Sequence, residues 1–218
     1  MTPEPVMEQS WQRLLSGVRA FRRDVFPAQR AIYESIASQG QRPHTLFITC
    51  ADSRVDPELL TQAGPGELFV TRNIGNIVPG YGEMLGGVSA VIEFAVAALG
   101  VHHIVICGHA DCGAIKALQN PQSVSGMPTV RQWLRNAAAA LSVVEARDPG
   151  APPEVFMERL IEANVLLQLD HLRTHPSVAG QMARGSLALH GWVYDIGTGI
   201  VRMHDSALGR FEPLNSDQ

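Results

Sequence analysis

The 218-residue sequence is short of several things, and each shortage closes off a class of protein. Cysteine is scarce: Cys50, Cys107 and Cys112 are the only three, too few and too odd in number for a disulfide framework, and they fit a reducing compartment. The cytoplasm is therefore the expected location, although an organelle would suit the mature protein equally. Charge is sparse and nearly balanced, with 17 Lys and Arg against 21 Asp and Glu and a net charge of −4. No block of basic residues supplies the electrostatic footprint that a phosphate backbone demands, so nucleic acid is not an expected partner. No apolar run approaches the roughly 20 residues of a membrane span. The N-terminal stretch MTPEPVMEQSWQRLLSGVRAFRRDVF carries acids and lacks the apolar core of a signal peptide.

What is present is an alternation of strand-like and helix-like patterns in a chain sized for one generous domain, residues 1–218. Trp11, Leu14, Leu15, Val18 and Phe21 recur at spacings of three and four, which predicts an amphipathic helix over residues 7–26 with an apolar stripe to be covered. Pro27 can open a second helix that ends near Gly40. Short β-branched runs predict strands at 45–50 (TLFITC), 67–71 (ELFVT) and 103–107 (HIVIC), with a helix at about 87–99 between the second and third. That order argues for βαβ units, an α/β fold and a mostly parallel central sheet flanked by helices. The second half reads as helices over 127–146, 153–174 and 176–184, then two strands, 187–196 and 200–204, flanking Gly197-Thr198-Gly199 as an antiparallel edge.

The chemistry is concentrated where two strands end. Parallel sheets put functional groups beyond the carboxyl ends of their strands, and there the chain carries Cys50-Ala51-Asp52-Ser53-Arg54 and His109-Ala110-Asp111-Cys112-Gly113. If those strands are neighbours, Cys50, His109 and Cys112 offer the thiolate and imidazole donors of a catalytic zinc site, with a fourth position left for water. The three-residue spacing of His109 and Cys112 is expected to put both side chains on one side of a single helical turn. Cys107, inside its strand, reads as a small hydrophobe and not as a ligand. Asp52 beside Arg54 stays ionised at neutral pH. It can accept a hydrogen bond from a zinc-bound hydroxide, or ligate the metal itself and close the open position.

CADSR and HADCG, together with PGELFVTRNIGNIVP and LHGWVYD, closely resemble the β-class carbonic anhydrases over residues 41–195. The resemblance implies zinc on Cys50, His109 and Cys112, an Asp52–Arg54 pair, substrate contacts from Gln41, Phe69, Ile74, Phe94 and Gly113, and interconversion of carbon dioxide and bicarbonate. Phe94 stands where members usually carry Tyr. It also implies a dimer or tetramer in which a helical arm, residues 1–40, packs on the partner subunit. A subset of the family builds an inhibitory bicarbonate site from a Trp, an Arg and a Tyr; here the Trp position is Phe47, with Arg72 and Tyr194 retained. The expected state is accordingly the open one, Asp52 paired with Arg54 and water on zinc. The sequence looks most like bacterial members, including those associated with cyanate use. Related proteins with the same ligand set hydrolyse carbon disulfide or carbonyl sulfide, and a closed four-ligand zinc site without activity is the reading from a different class.

Overall fold

A computed structural model describes residues 3–83 and 86–214, and the chain divides into two compact units, residues 1–41 and 42–218. In the first, helix α1 (Pro3–Ala20) passes through one wide π-type turn (Phe21–Val25) into α2 (Phe26–Gln39). Pro27 sits in the first turn of α2, directly after the wide turn. Gly40 ends α2 at φ +78°, a conformation glycine adopts without strain. Phe21, Phe26 and Tyr33 gather where the helices join, with ring centroids 5.4–6.3 Å apart. The predicted apolar stripe is open to solvent: Trp11, Leu14 and Val18 are 55, 65 and 66% exposed.

The second unit is built on six strands in the order β2-β1-β3-β4-β5-β6. Strands β1 (Thr45–Cys50), β2 (Leu68–Asn73), β3 (His103–His109) and β4 (Ala188–Tyr194) are parallel; β5 (Val201–Asp205) and β6 (Arg210–Pro213) add an antiparallel edge. The expected α/β architecture and the expected hairpin after β4 are both found. Every residue of β1 is buried, as a strand covered on both faces requires. Alternation along β1 and β3 splits the core. Leu46, Ile48, Ile104 and Ile106 face the helical layer, and Phe47, Val105 and Cys107 face the other side with Trp192 and Tyr194.

The helical layer is formed by α4 (Gly87–Glu93), which continues as a π-type turn at Phe94–Ala98, and by α5 (Gly113–Gln119), α6 (Pro128–Leu134), α7 (Ala138–Arg147), α8 (Pro153–Thr174) and α9 (Pro176–Ala183). A short α3 (Pro57–Thr61) follows β1, its N-terminus capped by the Asp56 carboxylate accepting from Leu59 N–H. Three sequence expectations need correction. The helix expected over 127–146 is interrupted by a 3₁₀ turn at Arg135–Ala137. α3, α5 and β6 were not expected, because segments of four to seven residues carry too few periods of any pattern to register. β3 runs two residues beyond HIVIC, through Gly108 to His109, since those residues keep pairing with Val193 and Tyr194 of β4.

α8 lies very close to the sheet. A Cβ built on Gly108 or Gly191 would stand 2.9 Å from a methyl of Val165, so any other residue at these two strand positions must push that methyl aside. Val165, Ile161 and Leu169 are buried against them.

Candidate metal centre

Cys50 and His109 are the last residues of the adjacent parallel strands β1 and β3, so the hydrogen-bonded ladder itself sets their separation. Cys112 arrives differently from expectation. His109 to Cys112 is no helical turn: Asp111 takes a left-handed conformation at φ +60°, and Cys112, at φ −69° and ψ 116°, is the extended N-cap of α5. The physical reason is that His109 is still held in the sheet, and a left-handed residue reverses the chain quickly enough to bring the next sulfur back. The donor atoms of Cys50, His109 and Cys112 all lie within 4.8 Å of one another, with the two sulfurs 4.0 Å apart. All three residues are buried.

The three side chains shift one another's protonation. The Cys50 sulfur accepts from the Cys112 thiol and from backbone N–H groups of Gly75 and Asp52, which holds Cys50 well below the ordinary thiol range against the effect of burial. Cys112 is pushed far up by its bond to Cys50 and by burial. The pair thus gives up one proton readily and keeps the second. Burial works against a charge on His109, but Cys50, the Ala110 carbonyl and Asp52 together outweigh it and hold the imidazole above its usual range. His109 Nδ1 donates to the Ala110 carbonyl at 2.8 Å, which leaves Nε2 as the free ligating nitrogen. That Nε2 is buried without a hydrogen-bond partner, and the three donor atoms could hold a metal ion that would satisfy it. Cys107 is fully buried on the opposite face, where the loss of hydration pushes its thiol up to about 12.

Asp52 stands at the edge of the triad, Oδ2 3.9 Å from His109 Nε2. Arg54 grips it with two charge-assisted bonds, Nε to Oδ1 at 2.9 Å and Nη2 to Oδ2 at 2.7 Å, and the Arg54 backbone N–H adds a third at 3.0 Å. These bonds hold the Asp52 carboxyl far below the ordinary carboxylate range. Arg54 has a second carboxylate that sequence reasoning missed. Its Nη1 donates to Asp111 Oδ2 at 2.9 Å, and Lys116 pairs with the other Asp111 oxygen, so that Lys116 and then Arg54 lower Asp111 to about 2. The signal was in plain view as the acid inside HADCG, though nothing in one sequence says that it faces Arg54.

The remaining candidates fall as follows. Phe69 of β2 and Phe94 stack at 6.0 Å between centroids. Ile74 lies just beyond Asn73, the register partner of Cys50, and is 42% exposed. Gly113 opens α5 beside Cys112. Gln41 closes the N-terminal unit. Arg72 donates to the Cys50 and Asp52 carbonyls, at 3.1 and 2.5 Å, and so braces the loop that carries both. Tyr194 packs with Phe47, Val105 and Cys107, and its carbonyl accepts from Ala110 N–H.

Comparison with known proteins places this geometry in context. Residues 45–201 match the family model described as carbonic anhydrase. The chain is 49% identical to a carbonic anhydrase of Pseudomonas aeruginosa over 201 residues, covering 92% of this chain and 90% of that protein. It is also 49% identical to carbonic anhydrase 1 of Escherichia coli O157:H7, covering 93% and 92%. Among solved structures, the β-carbonic anhydrase CcaA superposes with a TM-score of 0.91 at 41% identity, over 94% of this chain and all of that one. One of two tetrameric β-carbonic anhydrases from Sordaria macrospora superposes at 0.80 and 29% identity, over 94% and 99%.

Proposed function

The chain belongs to the carbonic anhydrase family, and from that premise we propose that it interconverts carbon dioxide and bicarbonate at a zinc ion held by Cys50, His109 and Cys112. The observation that carries this reading is the convergence of two sulfurs and one partnerless buried nitrogen within 4.8 Å, with an ionised Asp52 beside them. Two thiolates and an imidazole are a zinc donor set, and three protein ligands leave a fourth position free. Zinc held there supplies Lewis acidity that makes water nucleophilic near neutral pH.

The chain's own residues supply orientation and exclusion. Asp52 is an acceptor only, because Arg54 keeps it ionised. It therefore orients a donor hydroxyl or water at the edge of the triad. Arg54 fixes the carboxylate through two parallel bonds, which supports the open arrangement, with Asp52 off the metal, as the proposed working state. Phe69, Ile74 and Phe94 provide apolar surface suited to an uncharged, nonpolar gas molecule. Gln41 donates to a substrate oxygen, and Gly113 offers its backbone at the start of α5. Self-association to a dimer or tetramer covers the exposed stripe of Trp11, Leu14 and Val18, and the two Sordaria macrospora enzymes are described as tetrameric. No described helix is long and apolar enough to cross a membrane, and a cytoplasmic enzyme is the proposed setting.

Metal analysis with stopped-flow hydration of carbon dioxide tests the whole reading. Purified protein should hold one zinc per chain and hydrate carbon dioxide. Asp52→Asn should retain the metal and lose about 100-fold in kcat, the scale of one positioned proton acceptor. Zinc retention with full activity in that variant refutes the role given to Asp52; absence of hydration at every pH refutes the function.

A further inference from the structure

Two histidines with no part in the metal centre meet at the far end of the same strands. His103 opens β3 and His109 closes it, so the two lie about 20 Å apart along the strand. In β4, His190 pairs in register with Val105, two residues on from His103. The two imidazoles are therefore diagonal neighbours on one face of the sheet, the face away from the helical layer. His103 Nδ1 and His190 Nε2 are 3.1 Å apart, and the ring centroids 5.2 Å. They line a recess of about 500 Å³ shared with His44, Glu67 and Met203.

We propose that His103 and His190 form a second metal site, one that takes a borderline divalent transition ion such as Ni²⁺, Cu²⁺ or Zn²⁺. The spacing is the first argument. Imidazole nitrogens bind such ions at about 2.0–2.1 Å. Two of them are then about 3.3–3.4 Å apart at adjacent corners of a tetrahedron and about 2.9 Å apart at adjacent corners of a square plane. The observed separation of 3.1 Å falls between these values, so turning the two rings about their side-chain bonds until both nitrogens face one point completes the chelate. Without a metal the same contact is a single N–H···N hydrogen bond; on binding, the donor ring carries its proton on its other nitrogen instead, so both rings ligate as neutral imidazoles and no net proton is released.

The scaffold is the second argument. Both side chains project from hydrogen-bonded strands, His103 from the first pair of the β3–β4 ladder and His190 from opposite Val105, so little backbone ordering is needed when a metal binds. Burial and the neighbouring His103 hold His190 below the ordinary histidine range, which keeps it neutral and ligating at pH 7. His103 is exposed, and the recess leaves room for waters to complete the coordination shell. Imidazole nitrogens select nickel, copper and zinc over magnesium or calcium, which require oxygen ligands.

Calorimetric titration of the tag-free, zinc-loaded full chain with NiCl₂ at pH 7.5 tests the site, with bound zinc followed throughout. One Ni²⁺ per chain should bind without releasing zinc. His103→Ala and His190→Ala should each weaken that binding about 100-fold, the loss expected when a chelate becomes a single ligand. His102→Ala removes an exposed neighbour outside the pair and should bind as the unaltered chain does. Nickel binding that survives both substitutions, or no nickel uptake by the unaltered chain, overturns the proposal. Should the half-buried His190 position not tolerate alanine, His103→Ala at the exposed strand end decides alone. Neither substitution touches Cys50, His109 or Cys112, so hydration activity reports on the first metal centre independently.

Discussion

Gly108 offers the sharpest test of how the fold holds the metal centre, because its replacement by alanine changes one methyl group and almost nothing else. Its φ is not in the left-handed region, so alanine meets no backbone penalty there. The new Cβ would stand 2.9 Å from Val165 Cγ2 and 3.3 Å from Ile161 Cγ2. Carbon atoms prefer about 3.5–4.0 Å, so the closer approach is short by about 0.6–1.1 Å. Neither side yields easily. β3 is bonded to β1 and β4, and Val165 is a fully buried β-branched residue with one favoured rotamer in a helix. Overpacking of this kind costs about 1–3 kcal/mol, and the reduced freedom of the unfolded chain returns about 0.4–1 kcal/mol. Gly108→Ala should therefore lose about 1–2 kcal/mol in urea denaturation. Because His109 is the next residue, a displacement of a few tenths of an ångström reaches this proposed metal ligand, and kcat should fall with it. Val165→Ala removes the clashing methyl, so the double variant should be more stable than the two single losses predict, by about 1 kcal/mol. An unchanged midpoint in Gly108→Ala, or strict additivity in the double variant, refutes the close-packing argument.

Two other outcomes follow from the site and its surroundings. Asp111→Asn removes one of the two carboxylates that hold Arg54, so kcat for hydration should fall about tenfold with zinc content unchanged; Lys116→Met should have no further effect in that background if Lys116 acts only through Asp111. His175 is held below its ordinary range by burial, with its Pro79 bond opposing this. The folded state therefore resists a proton that the unfolded state accepts near pH 6.5, so this stability is complete above that pH and declines as pH falls below it. Thermal melts from pH 7.5 to 5.5 should show the loss, and His175→Gln should flatten the profile; an equally steep profile in the variant refutes the assignment.

What could be seen in the sequence and what could not divide along physical lines. β1 and β3 were visible because a strand buried on both faces must be apolar at every position, and TLFITC and HIVIC are nearly so. The donor set was visible because only two loops carried sulfur beside His or Asp. The route from His109 to Cys112 was not, since a left-handed Asp111 leaves no mark in residue spacing and asparagine-like side chains enter that region without glycine's help. Arg54's attachment to Asp111 was hidden for another reason: the two residues are 57 apart, and their meeting depends on β1 and β3 being neighbours. Cys107, set aside as a ligand on the sequence, is turned by the alternation along β3 to the face opposite the helical layer.

One stripe on α8 was written in the sequence but has meaning only once the loop after β2 is in place. Residues 75–80 are all buried, yet they belong to no helix or strand, so their backbone polar groups need partners from elsewhere. α8 supplies many of them from one face, at spacings of four, three and four. Asn164 donates to the Gly75 carbonyl, Gln168 accepts from Val78 N–H, His171 donates to the Val78 carbonyl, and His175 at the helix end donates to the Pro79 carbonyl. Asn164 and Gln168 also bond each other at 2.9 Å, so neither amide is spent on one contact alone. From the other side Asn73 brackets Ile77 with two bonds, and Trp133 donates to the Ile74 carbonyl. Polar residues at helical spacing ordinarily mark a solvated face, and here the same pattern marks the reverse. The consequence reaches the metal centre directly. Gly75 turns its N–H toward the Cys50 sulfur, and Ile74 offers apolar surface beside it, so the loop can serve the site only while α8 keeps its backbone in place. A buried irregular segment this close to charged ligands holds its shape only when nearly every donor and acceptor is matched, and α8 is the element that does most of the matching.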